Sequence, residues 1–526
     1  MGRAAVGDCT DCEGTQDFMN WRPQCVTMAR RLLAVAVVCL VVLAGCQGGM
    51  TGDTETEATT TAPTNTTMPA ESADSFDYAD PADDRLGWEG GYWYNESIDV
   101  DRSDGLNDTE LDAVVNRSMA RVETVRELEF EESVPVEVIS REEFSNETAA
   151  SFENVTRNGS IHQNVKWEAM FMLGENESAI DQLETNRAGS VLGYYSPSED
   201  RIAIVSENTE SPQMDEITLS QELFHALQEH RFDVSRYNQS TQELHNARDG
   251  IIEGDGNYVD HLYQQRCESE WDCLQPRDQG GAGGSDRHIG IALTRLQPYS
   301  DGPVFVQQLR EAGGWDAVNA VYDDPPASTE QTIHPEKYGE DEPIDVTVRD
   351  TSTAEWSVPE MGNGSIDYAA FGEAGLYTML WYPSYAETQR TRTPTDVVVP
   401  VNHLLAPAQN QESLDLYNYS YRYTDGWDGD KLVPYATDTS GEDGQTGYVW
   451  KSVWDSPEDA AEFAEGYRQL LEHHDAERVD AETARYRIPD GANGFADAFR
   501  VTVDGDRVTI VNAPTVDALD DVHDAN

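Results

Sequence analysis

The chain has 526 residues, of which 38% are hydrophobic, so it is long enough to bury the cores of two or three domains. Asp and Glu total 99 against 35 Lys and Arg, which gives a formal net charge of −64 and excludes nucleic acid as a partner. Concentrated salt shortens the electrostatic screening length to about 3 Å at 1 M. The acidic composition therefore indicates a multimolar salt environment, such as that of a haloarchaeon.

The N-terminal region is predicted to be a targeting segment. Residues 1–27 are interpreted as a misassigned start, because a short basic region, an apolar run over Leu32–Leu43 and the sequence Leu-Ala-Gly-Cys follow Met28. The apolar run is too short to cross a bilayer core of about 30 Å as a permanent helix. The pattern from Met28 to Cys46 is typical of a lipoprotein signal peptide, so residues 1–46 are interpreted as a misassigned start plus this signal peptide. The pattern predicts a lipidated Cys46 at the extracellular face of the membrane. Sec and twin-arginine export both remain open.

Residues 47–84 form a predicted stalk. They are rich in Thr, Asp and Glu and contain almost nothing that could form a core, so the segment is predicted to be disordered. N-x-Ser/Thr sequons agree with an exported glycoprotein. They start at Asn65, Asn95, Asn107, Asn116, Asn146, Asn154, Asn158, Asn176, Asn238, Asn363 and Asn418.

A folded domain is predicted over 85–343, and its first half alternates helices and strands. Helical periodicity covers Leu111–Phe130 and Glu168–Leu183, while Val134–Ile139 alternates like a strand. Ser190–Tyr195 and Arg201–Val205 are predicted to pair across a short turn. A sheet that precedes the next helix could bind an extended peptide along its edge.

Thr218–Phe232 reads TLSQELFHALQEHRF and predicts one amphipathic helix. Its apolar residues recur at helical spacing and would face a core, whereas four polar residues share another face. These polar residues are Gln221, Glu222, His225 and Gln228. Residues one helical turn apart can direct two ligands at one metal ion and hold a carboxylate beside it. The helix is therefore a candidate metal site.

A second helix-like stretch, Gly250–Asn257, carries Glu253. Together, ELFHALQEHRFD and IIEGDGNYV resemble a family of secreted and surface zincin-like proteins with the pattern HELxHALQDQxFD followed by a Glu in an EGDA-like turn. The resemblance implies a haloarchaeal surface lipoprotein with an α+β, gluzincin-type core. It implies a zinc site with His225 and Glu253 as ligands and Glu222 as the catalytic base. Gln221 stands where the family has its first His, and its amide oxygen is the third candidate ligand.

Two further features of this domain bear on function. Cys267 and Cys273 are predicted to form a small-loop disulfide rather than a metal site, because no other extracellular Cys remains once Cys46 carries lipid. Ser328–Tyr338, STEQTIHPEKY, also resembles a family segment. His334 within it is a candidate catalytic residue that polarises a carbonyl, and the alternative is a histidine that only fixes a loop.

Residues 344–526 are predicted to form an α+β C-terminal domain. The predicted elements are a helix over Phe371–Trp381, strands over Asp425–Tyr435 and Gly447–Trp454, a helix over Pro457–Leu471 and a hairpin of Phe499–Val503 with Arg507–Val511. The tryptophans of this region are interpreted as core residues rather than as a ligand platform.

Two classes of function fit these patterns. The first is a lipid-anchored zinc metallopeptidase that acts on polypeptides outside the cell. The second is a surface binding or structural protein that keeps the zincin-like fold without turnover, in which Glu222, His225 and Glu253 belong to an internal polar network. A solute-capturing lipoprotein is disfavoured, because the sequence contains no repeated lobes.

Overall fold

The computed structural model describes residues 78–524, apart from 102–103, 189–192, 207, 211, 213–214, 275–286, 363–364, 406–413, 439–443, 481–483 and 492–493. The predicted signal peptide with Cys46, the stalk up to residue 77, and the sequons at Asn65 and Asn363 lie outside the described residues. Within the described ranges, no helix is long and apolar enough to cross a membrane. The fold is mixed α+β, as predicted from the sequence.

The described chain opens with a short hairpin and a helix. These elements are β1 (Trp88–Glu89), β2 (Tyr92–Trp93) and α1 (Asp108–Arg126). A capping box starts α1, because the Asn107 side chain accepts from the Glu110 backbone while the Glu110 side chain reaches back to the backbone of Asn107. The helix ends before the predicted end at Phe130, since Glu127 takes a left-handed conformation with φ 60°.

The first sheet has three strands in the order β3-β5-β4. The strands are β3 (Val136–Ser140), β4 (Gly193–Ser196) and β5 (Arg201–Ser206). Strand β5 pairs in parallel with β3 and antiparallel with β4, so β4 lies at one edge. The predicted strand pair is confirmed from Gly193 onward, and residues 190–192 of the prediction lie outside the described residues. Its edge strand faces the helix that carries the candidate metal site.

Three helices lie between β3 and β4 in sequence. They are α2 (Arg141–Glu153), α3 (Arg157–Ala169) and α4 (Ala179–Ala188). The predicted single helix over Glu168–Leu183 is wrong, because the chain leaves the helix after Ala169 and Phe171 takes a left-handed conformation with φ 52°. A bulky residue in that conformation does not continue a right-handed helix.

Helices of very different lengths follow β5. They are α5 (Glu216–Phe232), α6 (Gln242–Ser269), α7 (Ile289–Leu293), α8 (Asp301–Val321) and α9 (Glu330–Ile333). Apolar residues of α1, α5, α6 and α8 share one core with β5. Helix α6 runs without a break through the EGDG sequence after Ile252, and α8 is kinked at Gly313 and Gly314. The predicted disulfide joins Cys267 at the end of α6 to Cys273, with an S–S distance of 2.05 Å.

The C-terminal part is built on a six-stranded antiparallel sheet in the order β6-β7-β11-β10-β9-β8. Its strands are β6 (Trp427–Ala436), β7 (Thr446–Trp454), β8 (Glu477–Asp480), β9 (Arg485–Arg487), β10 (Ala498–Asp504) and β11 (Arg507–Ala513). Its helices are α10 (Gly372–Thr391), α11 (Pro457–His473) and α12 (Leu519–Val522). The hairpin of β10 and β11 turns across Gly505, as the sequence predicts.

The core beneath this sheet crosses the predicted boundary after residue 343. Trp167 of α3 and Leu183 of α4 belong to the same core as Trp450 of β7 and Phe463 of α11. Trp427, Trp450 and Trp454 are all buried in it, in agreement with the interpretation of these residues as core. The packing holds the first half of the chain against the C-terminal sheet.

Candidate functional site

Helix α5 carries the residues of the predicted metal site. Its N-cap is Asp215, whose carboxylate accepts from the backbone and the hydroxyl of Thr218, both at 2.8 Å. Gln221 and Glu222 are buried on this helix, and His225 follows one turn later. The helix ends at Asp233, which takes a left-handed conformation with φ 52°.

A buried ion-pair network holds the start of α5 against α1. Glu216 is fully buried, and its carboxylate forms ion pairs with Arg117 and Arg121. It also accepts from the Tyr263 hydroxyl at 2.7 Å. Burial alone would raise the pKa of Glu216, but the charges of Arg121 and Arg117 outweigh burial and lower it. The network therefore fixes the start of α5 relative to α1 and α6.

His225 and Glu253 lie close together across the contact between α5 and α6. The distance from His225 Nε2 to Glu253 Oε2 is 3.5 Å, and the Glu253 side chain is fully buried. Two ligands of one zinc ion lie about this far apart, because each binds at about 2.0–2.2 Å in tetrahedral geometry. The structure therefore brings together the two strongest ligands that the sequence predicts.

The ring of His225 is oriented by Gln228. Gln228 Nε2 donates to the carbonyl of Ile252 at 2.8 Å, which assigns the other amide atom as oxygen. That oxygen lies 2.7 Å from His225 Nδ1 and therefore accepts from it. Because Nδ1 carries the proton, the lone pair of the ring is on Nε2, the nitrogen that faces Glu253. This orientation is typical of metal-binding histidines.

The hydrogen bonds continue from Gln228 into the core. Gln228 donates to the Tyr322 hydroxyl at 2.7 Å, and Tyr322 donates to Asp255 Oδ2 at 2.7 Å. Asp255 accepts in turn from Arg126 of α1 at 3.0 and 3.1 Å. Burial and the negative charge of Asp255 raise the pKa of Tyr322, which therefore stays a hydrogen-bond donor. The network links His225 to α1, α6 and α8.

Glu222 connects α5 to the sheet edge. Its Oε2 accepts from the backbone N–H of Tyr195 on β4 at 3.1 Å. The side chain is buried, and its Cγ lies beside Gly193 of the same strand. The predicted catalytic carboxylate therefore lies between the motif helix and the edge strand.

Gln221, which the resemblance aligns with the first histidine of the zincin motif, is buried. Within the described part of the chain, its Nε2 has no hydrogen-bond partner. A neutral amide is a weaker zinc ligand than an imidazole or a carboxylate. Among the described residues, the groups of three or more His, Cys, Asp or Glu ligands within 4.8 Å of one another do not include His225. His225 and Glu253 thus form a pair of good zinc ligands, and Gln221 is the weak third candidate that the resemblance implies.

Two further buried polar side chains precede the predicted ligand Glu253 on α6. His245 and Asp249 stand two turns and one turn before Glu253, and His245 Nε2 lies 3.4 Å from Asp249 Oδ2. Burial, followed by the charge of Arg295, lowers the pKa of His245 to about 3, so this imidazole stays neutral. The four-residue spacing of His245, Asp249 and Glu253 is the sequence signal for this row of side chains.

The structure places His334 in a different cluster. Its Nε2 lies 3.1 Å from Oε1 of Glu373 in the first turn of α10, and Asp425 lies next to both. Its partners thus come from the C-terminal part rather than from α5. The catalytic role for His334 stays a prediction.

Sequence reasoning named Gln228 only as part of the polar face, and it missed Tyr195, Asp255 and Tyr322. Tyr322 lies 94 residues after Gln228 in the chain, and no periodic pattern links two residues that far apart. Asp255 stands inside the EGDG sequence, so it was close to an identified motif.

One family profile matches this chain. It covers residues 359–523 and is described as a domain of unknown function (DUF8575). The matched range contains α10, α11 and the six-stranded sheet, whereas α5 and α6 precede it. Neither the comparison with curated proteins nor the comparison with solved structures gave a match.

Proposed function

We propose that this chain is a lipid-anchored haloarchaeal cell-surface protein with a zincin-like fold and a candidate zinc metallopeptidase site with altered ligands. The observation that carries the proposal is the 3.5 Å distance between His225 Nε2 and Glu253 Oε2, with His225 Nδ1 held by Gln228. A histidine held in this way, beside a buried carboxylate, is the arrangement that a metal ligand requires. The Leu-Ala-Gly-Cys sequence that ends at Cys46 supports the proposed location.

His225 and Glu253 would hold the zinc ion, and Gln221 would add a weak third ligand. Zinc, when bound, lowers the pKa of a water molecule to about 7. Glu222 follows Gln221 directly and would accept a proton and pass it to the leaving amine of a peptide. Its hydrogen bond to Tyr195 N keeps the carboxylate beside the β4 edge, where an extended polypeptide could pair.

A second candidate function is a surface binding or structural protein without turnover. It is favoured by Gln221, because the loss of one imidazole ligand weakens zinc binding. It is also favoured by the hydrogen bonds from His225 Nδ1 through Gln228 and Tyr322 to Asp255, which form without a metal ion.

The test compares zinc binding and peptide cleavage in three full-length proteins purified in molar salt and stripped with a chelator. These are the wild type, Gln221→His, and Gln308→His as a control at an exposed position of α8. We expect Gln221→His to raise zinc affinity on the order of ten-fold or more, because it restores a third strong ligand. The Gln308→His control should bind zinc as the wild type does.

Cleavage of a fluorescence-quenched casein then separates the two candidates. If the Gln221→His protein binds zinc and cleaves casein, adding Glu222→Gln should abolish cleavage while the zinc stays bound. Wild type that binds stoichiometric zinc and cleaves casein supports the peptidase. Absence of zinc in both wild type and Gln221→His would show that His225 and Glu253 serve only a structural network.

A further inference from the structure

A second group of metal-binding side chains lies where the first half of the chain meets the C-terminal sheet. His334 follows α9, Glu373 is in the first turn of α10, and Asp425 precedes β6. Each offers one ligand atom, and these atoms all lie within 4.8 Å of one another. Three separate segments of the chain thus meet at one point.

The buried carboxylate of Glu373 is only partly satisfied. Its Oε1 lies 3.1 Å from His334 Nε2, whereas Oε2 has no hydrogen-bond partner in the part of the chain that the structure describes. The residue is fully buried. Burial of a carboxylate oxygen without a partner is unfavourable, so this atom is suited to contact a cation.

An adjacent cluster shows how the protein itself supplies a cation. Glu330, Asp341 and Asp455 form a similar group of carboxylates. Lys337 Nζ fills that group, with distances of 2.6, 3.1 and 2.8 Å to the three carboxylates. Over the described residues, no lysine or arginine forms an ion pair with Glu373.

The side chains around this second group are also arranged to hold it. Asp425 Oδ1 accepts from the Ser420 hydroxyl at 2.9 Å, which fixes the carboxylate. The backbone N–H of His334 donates to the Glu330 carbonyl at 2.7 Å. A hydrogen bond to the carboxylate, such as the one from Ser420, is of the kind that orients ligands in metal sites.

We propose that His334, Glu373 and Asp425 form a second metal site, which binds a divalent transition-metal ion such as Zn²⁺ or Mn²⁺. An imidazole and two carboxylates suit such ions, whereas Ca²⁺ and Mg²⁺ select sites with oxygen ligands only. The ion joins the segment after α9 to the start of α10 and to the turn before β6. Its role is to hold the first half of the chain, which contains α5 and α6, against the C-terminal sheet.

The test uses the full chain carrying His225→Gln, so that the α5 site does not contribute, in molar salt after chelation. Zn²⁺ or Mn²⁺ alone is titrated into this protein and into the same protein with Asp425→Asn or His334→Gln. Asp455→Asn is the matched control, because it removes the same charge from the neighbouring cluster that Lys337 fills. The readouts are binding by calorimetry and the shift of the thermal unfolding midpoint on metal addition.

We expect Asp425→Asn and His334→Gln each to weaken binding by about ten-fold or more and to abolish the metal-dependent midpoint shift. Asp455→Asn should leave both unchanged. Equal losses in Asp425→Asn and Asp455→Asn would overturn the proposal, because they would reflect only the acidic surface. Lack of binding by the His225→Gln protein, or displacement of Zn²⁺ by excess Ca²⁺, would also overturn it. If Asp425→Asn does not fold, the metal binding and the midpoint shift of His334→Gln decide whether the proposal stands.

Discussion

Gly254 of α6 and Gly302 of α8 lie in backbone contact. A Cβ placed on Gly254 would lie 2.6 Å from both the carbonyl carbon and the carbonyl oxygen of Gly302, and a Cβ on Gly302 would lie 2.8 Å from the Cα of Gly254. Only glycine at both positions allows the two helices to approach this closely. Because Gly254 directly follows Glu253, this crossing sets the position of the predicted metal ligand.

Gly254→Ala should therefore destabilise the protein. The added methyl would force α6 and α8 apart, and overpacking of this kind costs about 1–3 kcal/mol. Chemical unfolding in molar salt measures the change in the free energy of unfolding. Gly362→Ala is the control, since a Cβ at that position meets no atom within 4 Å. Equal free energies of unfolding for the wild type and Gly254→Ala would contradict a close crossing of α6 and α8 at this residue.

Local periodicity accounts for the part of the site that could be predicted. The spacing of Gln221, Glu222 and His225 places them on one face of a helix, and the family resemblance pointed to Glu253 as their partner. The disulfide and the C-terminal hairpin also follow from short-range patterns. Each of these inferences uses residues that lie within a few helical turns of one another or that belong to a known motif.

The remaining features depend on contacts between distant parts of the chain. Tyr322 contacts Gln228 and Asp255 contacts Tyr322 through tertiary packing, and no local sequence pattern predicts these two contacts. The resemblance makes His334 a candidate catalytic residue, with a histidine that only fixes a loop as the alternative. Its ring contacts Glu373, whose own segment was predicted only as a buried helix.

Gln228 provides a test of how the imidazole is oriented. Gln228→Met, introduced into the Gln221→His protein, removes the acceptor for His225 Nδ1 and the donor to the Ile252 carbonyl. Loss of a partner that orients a ligand typically reduces metal affinity by about 10–100-fold, so zinc binding should weaken by this amount. Zinc titration with a competing chelator measures it.

Tyr322→Phe is the matched control for Gln228→Met. It removes the hydroxyl that accepts from Gln228 but leaves the Gln228 and His225 side chains in place. The loss of zinc affinity should therefore be smaller than in Gln228→Met. A Tyr322→Phe effect as large as that of Gln228→Met would mean that stability, and not ring orientation, governs binding.

Cys46 provides a test of the membrane anchor. Cys46→Ser should release the protein from the membrane fraction or block its maturation, because acyl chains on Cys46 supply the proposed membrane affinity. Fractionation of cells followed by immunodetection of the C-terminal part measures the distribution. Unchanged membrane retention of the Cys46→Ser protein would exclude lipidation at this residue as the anchor.

Lys166 of α3 is a buried amine, and its burial makes stability depend on pH. Burial and the charge of Arg295 lower the pKa of Lys166 from 10.5 to about 7, and its Nζ lies 4.7 Å from the Trp167 ring. In the unfolded chain the amine keeps its ordinary pKa. Between about pH 7 and pH 10 the unfolded state therefore binds more protons, and the contribution of Lys166 to stability rises with pH.

Replacing this amine by an apolar side chain should remove that dependence. Lys166→Met should be more stable than the wild type at pH 7, and the difference should shrink by up to about 1.4 kcal/mol per pH unit as the pH rises toward 10. The neighbouring His162 and His245, whose pKa values are lowered by burial, are neutral throughout this range and do not contribute. Chemical unfolding of both proteins in molar salt at several pH values measures the difference. A difference that stays constant from pH 7 to pH 10 would show that Lys166 keeps an ordinary pKa in the folded protein.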